Sequence, residues 1–539
     1  MNILIPLLAA VVLLCAGAPQ AGADCVSLRT SCVPADIEAI MQQSRYDNAT
    51  WGLRVVDLNS SRVLLDLNSD YDFFIGSVRK IFSIGELLEQ VGAAHRYDTP
   101  IYRRGKIDRK GVLHGDLILV ASGDLTMGGR TRPDGTIAVS DYDHNEADSL
   151  GNAVLTRPNP LAGYSALARQ VAAAGITAIT GDVAIDDRLF QPFSFRNEFY
   201  VRPIFVNDDV VDLIIDPTSP GNPARVRWRP VSQALQVEST LVTSGAGSNY
   251  ALQLASELPQ CIGQPGCAAQ VTGQLPVNFS PPFTGKFPLV QTFRIVEPAN
   301  YARTVLIEAL QKAGVTVNAA ATEPNPVQLL PPRRSYSPAA KVAELEGLPY
   351  ADDAKLILKV SYNIGADTSL VLFGVANGVD NMEEALAVER ENLTAHYGIP
   401  AAAFHFVDGS GGGATTATNK AVTRMLEDMS VRATFPAFFE ALPILGVDGS
   451  IAPVTDFESD PTLAGAKGQV HAKVGTYLLS SGSGLIVKGQ AFGGYVAARS
   501  GRRLAFELVV NNVAISSLND LLQIFQDEGT ISAMLWRDN

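Results

Sequence analysis

Apolar residues return every three or four positions in some blocks of the chain and every second position in others. Ile81, Ile84, Leu88 and Val91 recur at helical spacing, so "FFIGSVRKIFSIGELLEQ" predicts a buried helix with Ser77 in its first turn. The same period marks 35–46, with Ile37, Ile40 and Met41 on one face, and also 161–175 and 518–535. It continues through "EPANYARTVLIEALQKAGVTV", "YADDAKLILKVSYNIGADTSLVLFGVA" and "NKAVTRMLEDM". Alternation predicts strands in "WGLRVVDLN" and "SRVLLDLN", a hairpin turning at Asn59 to Ser61, and in the closing segments "GQVHAKVGTYL" and "GGYVAARSGRRLAFELVVNN". From Asp98 to Gly285 the texture changes to short β-like runs between Gly, Asp and Pro turns, and a proline-rich connector follows at Pro324 to Pro338. Helix-rich ends around a strand-rich middle predict a discontinuous α/β domain, 24–97 with 285–539. A β-rich insertion of two modules, 98–284, interrupts it.

Composition narrows the class. At 539 residues the chain exceeds one ordinary core, and 47% hydrophobic against 18% charged residues describes a globular protein. A net charge of −13 leaves no basic surplus for phosphates, which excludes a nucleic-acid partner. The first 23 residues carry no charge, and "ILIPLLAAVVLLCAG" leads to "AGA", a signal-peptide pattern over 1–23 that predicts a periplasmic or secreted protein, with peripheral membrane association open. Cys25 with Cys32, and Cys261 with Cys267, then read as two local disulfides, each contributing about 2–3 kcal/mol at most. No histidine accompanies them at zinc spacing, so no metal or other cofactor is expected.

Chemistry concentrates in three short motifs. Ser77 and Lys80, at i and i+3, project from one helix face, close enough for Nζ to meet Oγ. A serine hydroxyl needs a base, and at an ordinary pKa only roughly one lysine in 2,500 is neutral at pH 7. Lowering that pKa by about three units requires on the order of 4 kcal/mol, within reach of desolvation and a second cation. Ser-x-x-Lys alone is common and usually a solvated pair. "VSYNIGAD" adds Ser361 and Asn363 where a helical pattern breaks, and "HAKVGTYL" adds Lys473, Gly475 and Thr476 on a strand. The three in this order form the set used by β-lactamases and penicillin-binding proteins.

With these motifs, and with "GDLILVASGDLTM", "LARQVAAAGITAITGDVAIDDRLF", "FVDGSG" and "LPILGVDGSIA", the chain resembles the class C low-molecular-mass penicillin-binding proteins, the D-alanyl-D-alanine carboxypeptidase/endopeptidases. The long stretch between the first two motifs belongs to the likeness, which covers the chain beyond its leader. The resemblance implies a transpeptidase-like domain, an antiparallel sheet flanked by helices, acting on peptidoglycan stem peptides and acylated by β-lactam inhibitors. It implies Ser77 as nucleophile, Lys80 as its base, Ser361 and Asn363 as proton relay and amide binder, and Lys473 as the second cation. Gly475 and Thr476 would take the substrate along the strand edge, with the Ser77 and Thr476 N–H groups as oxyanion hole. Apart from the resemblance, Asp124 in "SGDLTM" lies in the insertion where it could reach the cleft and bind substrate, though a turn-forming aspartate is the more common role.

Three positions depart from the family pattern. Val474 stands for a hydroxyl residue, an expected ten- to hundredfold loss, roughly, in carboxylate binding. Gly412-Gly413-Ala414 replaces Leu-Ser-Arg, and Val78 replaces threonine. Other classes fit less well. No Gly-x-Ser-x-Gly elbow precedes a helix, against a Ser-His-Asp hydrolase, and His471 reads as a strand neighbour of Lys473. A β-lactamase would need an extra acid that the sequence does not assign. A non-catalytic peptidoglycan-binding scaffold remains the alternative from another class. "DYDHNEAD", 141–148, has a calcium-loop start but Glu146 at the glycine position, and reads as a solvated acidic loop.

Overall fold

A computed structural model describes residues 33–481 and 484–539. The expected leader and the Cys25–Cys32 pair lie outside the described residues.

The alternating segments assemble into a six-stranded antiparallel sheet in the order Arg62–Leu67, Thr50–Asp57, Arg503–Asn511, Gly484–Ala497, Val470–Ser481, with Val513–Ile515 also paired to Gly484–Ala497. The first hairpin turns where expected, with Ser61 at positive φ. Because side chains alternate across a strand, each face receives its own core. Leu53, Val55, Phe506 and Leu508 face the helices Ala35–Met41 and Leu518–Asp538, whose Ile37, Ile524 and Ile531 complete one cluster. Ala491, Tyr495, Ala505 and Val509 face the helices Lys80–Val91 and Asn419–Met429 through Ile81, Ile84, Val422 and Met425. Tyr350–Val360, Asn363–Ala376 and Met382–His396 extend that second layer.

The insertion builds its own sheets. Thr99–Ile107, Val112–Val120, Ala178–Ile179 and Val183–Asp186 pair in one, and Val210–Asp216 and Ala268–Pro276 centre two others. Two expectations change here. Leu289–Arg294 pairs with Val210–Asp216, Thr316–Val317 with Ala178–Ile179, and Lys341–Leu345 with Thr99–Ile107, so the insertion passes the expected end at 284 and closes near 345. The helix Pro298–Lys312 buries Val305, Leu306 and Leu310 in the same cluster. Helical periodicity reveals an apolar face but not which core receives it. That cluster also joins Leu117, Leu213 and Val271, so the three sheets share one core where two modules were expected, and Ala147, Ala153 and Val290 form a small cluster apart. A disulfide joins Cys261 and Cys267.

One hairpin of the insertion leaves its own core. Phe193 and Phe195 on one strand, with Phe199 and Val201 on the other, pack into the cluster beneath the helix Lys80–Val91.

Candidate active site

Ser77 sits in a tight helical turn, Gly76–Arg79, that leads directly into Lys80–Val91. Gly76, Val78, Arg79 and Lys80 are buried and Ser77 alone is partly open to solvent. The turn is wedged between other segments by close backbone approach. A Cβ on Gly475 would lie 1.9 Å from the Ile75 carbonyl oxygen, and one on Gly411 2.0 Å from that of Gly76. Gly475 thus admits the enzyme's own serine turn, where substrate backbone was the expectation. Arg79 anchors the same turn, donating to the Asp408 carbonyl at 2.9 Å, pairing with buried Glu389 at 2.5 Å and covering the Phe406 ring at 4.0 Å.

The three motifs meet at Lys80. Its Nζ lies 2.6 Å from Ser77 Oγ, 2.7 Å from Asn363 Oδ1, 2.9 Å from the Ser410 carbonyl oxygen and 3.4 Å from Ser361 Oγ. Lys473 Nζ lies 3.0 Å from the same Ser361 Oγ and 2.6 Å from the Val474 carbonyl oxygen. One hydroxyl therefore bridges two buried amines. The helical pattern breaks at Ser361 because its backbone is left-handed, φ 64°, between Tyr350–Val360 and Asn363–Ala376. The break aims Ser361 and Asn363 at one point.

Burial drives the titration of both amines. Desolvation lowers the Lys80 pKa to about 7, with Arg196 acting in the same direction and Glu146, Asp367 and Asp408 opposing it. Desolvation and then Lys80 push Lys473 well below its ordinary value, against Glu146. Lys80 has at most three hydrogens for four surrounding oxygens, so in its neutral form the lone pair is free to accept from a hydroxyl.

The remaining expected residues fall differently. Thr476 Oγ1 donates across the sheet to Gln490 at 2.7 Å. Val474 is buried in the core on the other side of the strand, so its missing hydroxyl is not missing from the cleft. His471 stacks on Phe439 at 4.0 Å between ring centres. Asp124 does not reach the cleft. It is 3% exposed, and its Oδ1 accepts from Thr126 N, Thr126 Oγ1 and Met127 N, closing a turn of its own loop.

Two acids join the cluster without a motif to announce them. Asp367, one helical turn beyond Asn363, accepts from Gly409 N at 2.9 Å, and burial followed by Asp408 raises its pKa to about 8. Its i+4 spacing from Asn363 was a readable sign. Glu146 comes from the stretch expected to be solvated: Asp143 and His144 beside it are 2% and 4% exposed. Asn363 Nδ2 donates to Glu146 Oε1 at 3.5 Å. Asp143, His144 and Asp208 bring ligand-type atoms within 4.8 Å of one another. The Arg130 guanidinium fills that space, with Asp143 Oδ1 at 2.7 Å and His144 Nε2 at 2.8 Å from its Nη2.

A serine whose hydroxyl touches a buried lysine, under an antiparallel sheet between helices and with a β-rich insertion, defines the penicillin-binding class of serine peptidases. The whole fold agrees. Penicillin-binding protein 4 of Haemophilus influenzae superposes with a TM-score of 0.67 at 18% identity, over 93% of this chain and 99% of that one. The same protein in complex with a β-lactam gives 0.63 at 19% identity, with the same coverage. The D-alanyl-D-alanine carboxypeptidase of Actinomadura sp. strain R39 is 26% identical over 526 residues, 92% of this chain and 84% of the relative. Residues 33–525 match the D-Ala-D-Ala carboxypeptidase 3 (S13) family, and the chain belongs to that family of serine peptidases.

Proposed function

We propose that this protein is an exported DD-peptidase that cleaves the terminal D-alanyl-D-alanine bond of peptidoglycan stem peptides, or the equivalent cross-link, through an acyl-enzyme on Ser77. The observation that carries the reading is the 2.6 Å contact between Lys80 Nζ and Ser77 Oγ in a site that also buries Lys473. Neutral Lys80 takes the Ser77 proton as Oγ attacks the penultimate D-alanine carbonyl. The oxyanion forms against the Ser77 N–H of the tight turn and the Thr476 N–H of the strand Val470–Ser481. The C–N bond then breaks, and the proton passes from Lys80 through the Ser361 hydroxyl to the departing D-alanine amine. Lys473 holds Ser361 and attracts the terminal carboxylate. In the second half a water gives its proton to Lys80 and attacks the ester, releasing the shortened peptide and restoring Ser77. Asn363 orients the substrate amide. A β-lactam enters the same first step and leaves slowly, because its amine remains tethered to the acyl group. The uncharged apolar leader supports export, and the accessible Ser77 beside buried neighbours supports a directed nucleophile.

Intact-mass spectrometry after benzylpenicillin treatment tests this directly. The expected result is one added penicillin on Ser77, lost in Ser77→Ala, together with D-alanine release from a pentapeptide by the untreated enzyme. A protein that binds sacculi but takes no label and releases no D-alanine is a scaffold, and the mechanism falls.

A further inference from the structure

The turn His144–Glu146 is not part of the catalytic domain, yet its last side chain lies against the second motif. It is held there by a buried ionic frame. Arg130 spans both carboxylate oxygens of Asp143, at 2.8 and 2.7 Å, and donates from Nε to Asp208 Oδ2 at 2.6 Å. His144 lies between Asp212 at 2.7 Å and Asp208 at 3.0 Å, and Arg229 closes the far side on Asp212 at 2.8 Å. Asn145 Nδ2 donates to Asp143 at 3.0 Å and to Asp208 at 3.1 Å. Residues 207 to 209 all have left-handed backbones, φ 51°, 55° and 59°, and the Asp208 carbonyl accepts from the Tyr362 hydroxyl at 3.4 Å. Asp208 thus fixes two turns at once, the one that bears Glu146 and the one that bears Ser361 and Asn363.

We propose that Glu146 is a positioning residue of the proposed reaction: the insertion holds its carboxylate against the Asn363 amide that also meets Lys80 Nζ, where it orients that amide and adds negative charge to the site of the two lysines. The inference rests on the Ser77 mechanism above. Burial raises the Glu146 pKa; Lys80 from the nucleophile helix, Arg196 from the Phe193–Val201 hairpin and Lys473 from the edge strand act to lower it, and Asp143 from its own turn to raise it. Lys80 is acted on in addition by Asp367 and Asp408. Burial opposes the charge on both amines, and the Glu146 carboxylate acts against that on each of them.

The test measures penicillin acylation of Ser77 from pH 5 to 10 in wild type, Glu146→Gln and Glu146→Asp, alongside NMR titration of ¹⁵N-lysine-labelled protein. In Glu146→Gln the acid limb and the Lys80 titration should move down by about one to two pH units, the size a unit charge gives from about 8 Å at an effective dielectric near 20. The penicillin concentration for half-maximal acylation rate should rise in Glu146→Gln, and Glu146→Asp should restore both towards wild type. Unmoved acid limb and unmoved lysine titration, with only a lower melting temperature, would assign Glu146 a purely structural role and overturn the proposal. Absence of any wild-type label sinks the Ser77 mechanism instead, and the lysine titration still decides whether Glu146 sets the charge.

Discussion

Ser361 occupies a left-handed backbone that a non-glycine residue adopts at roughly 1–2 kcal/mol, and its hydroxyl bridges both lysines. Strain and the proposed relay coincide at this one residue, so they separate on mutation. Ser361→Gly is expected to leave the melting temperature unchanged or slightly higher while acylation falls by about 10²–10⁴-fold, the usual range for a lost proton relay. Equal losses in both measurements would refute the relay. Lys80 gives a pH signature. In the proposed mechanism its neutral form is the base, and burial lowers its pKa to about 7, so acylation should fall tenfold per unit below about pH 7 and level off above it. Gly475→Ala places a methyl 1.9 Å from the Ile75 carbonyl oxygen. Labelling should be lost although the variant removes no polar group. Ser77, Lys80, Ser361, Asn363 and Lys473, which the fold brings together, were legible in the sequence because each sits in a short pattern whose chemistry is local. Glu146 was not, because an acidic stretch looks the same whether water or a guanidinium satisfies it, and only the fold brings Arg130 and Asp208 to it. Asp124 failed for the converse reason: a Gly-Asp turn and a cleft carboxylate share one spelling.

Among the elements, the frame around Arg130 joins segments that are 78 residues apart in sequence at Arg130 and Asp208. Removing one partner of such a buried network leaves uncompensated charge, and Arg130→Met should destabilise the insertion by about 3–5 kcal/mol in urea denaturation. His144 adds a pH dependence. Burial disfavours its charge, but Asp212, Asp143 and Asp208 outweigh that and raise its pKa to about 9. Since the folded value lies above the unfolded one, this contribution is complete below about pH 6.5 and disappears as pH rises through about 9. The alkaline fall in melting temperature should be shallower in His144→Asn, and an identical slope would remove His144 as its source. At this scale the helices and strands followed the hydrophobic period closely. The boundary of the insertion did not, because Leu289–Arg294 and Lys341–Leu345 are assigned by the strands they pair with, and pairing is non-local.

Across the whole molecule, two large cores meet through the Phe193–Val201 hairpin, which grows from one and buries its aromatic rings in the other. Calorimetry should therefore show insertion and catalytic layer unfolding in a single transition, with Phe195→Ala splitting it in two. The Ser77 turn is packed differently from everything around it. Gly76, Gly411 and Gly475 come from three distant parts of the chain and touch backbone to backbone, with no side chain between them. Contacts of that kind leave no atoms to vary. An engineer seeking altered selectivity would therefore find the serine turn closed to substitution, since any side chain added at those glycines meets backbone that cannot step aside.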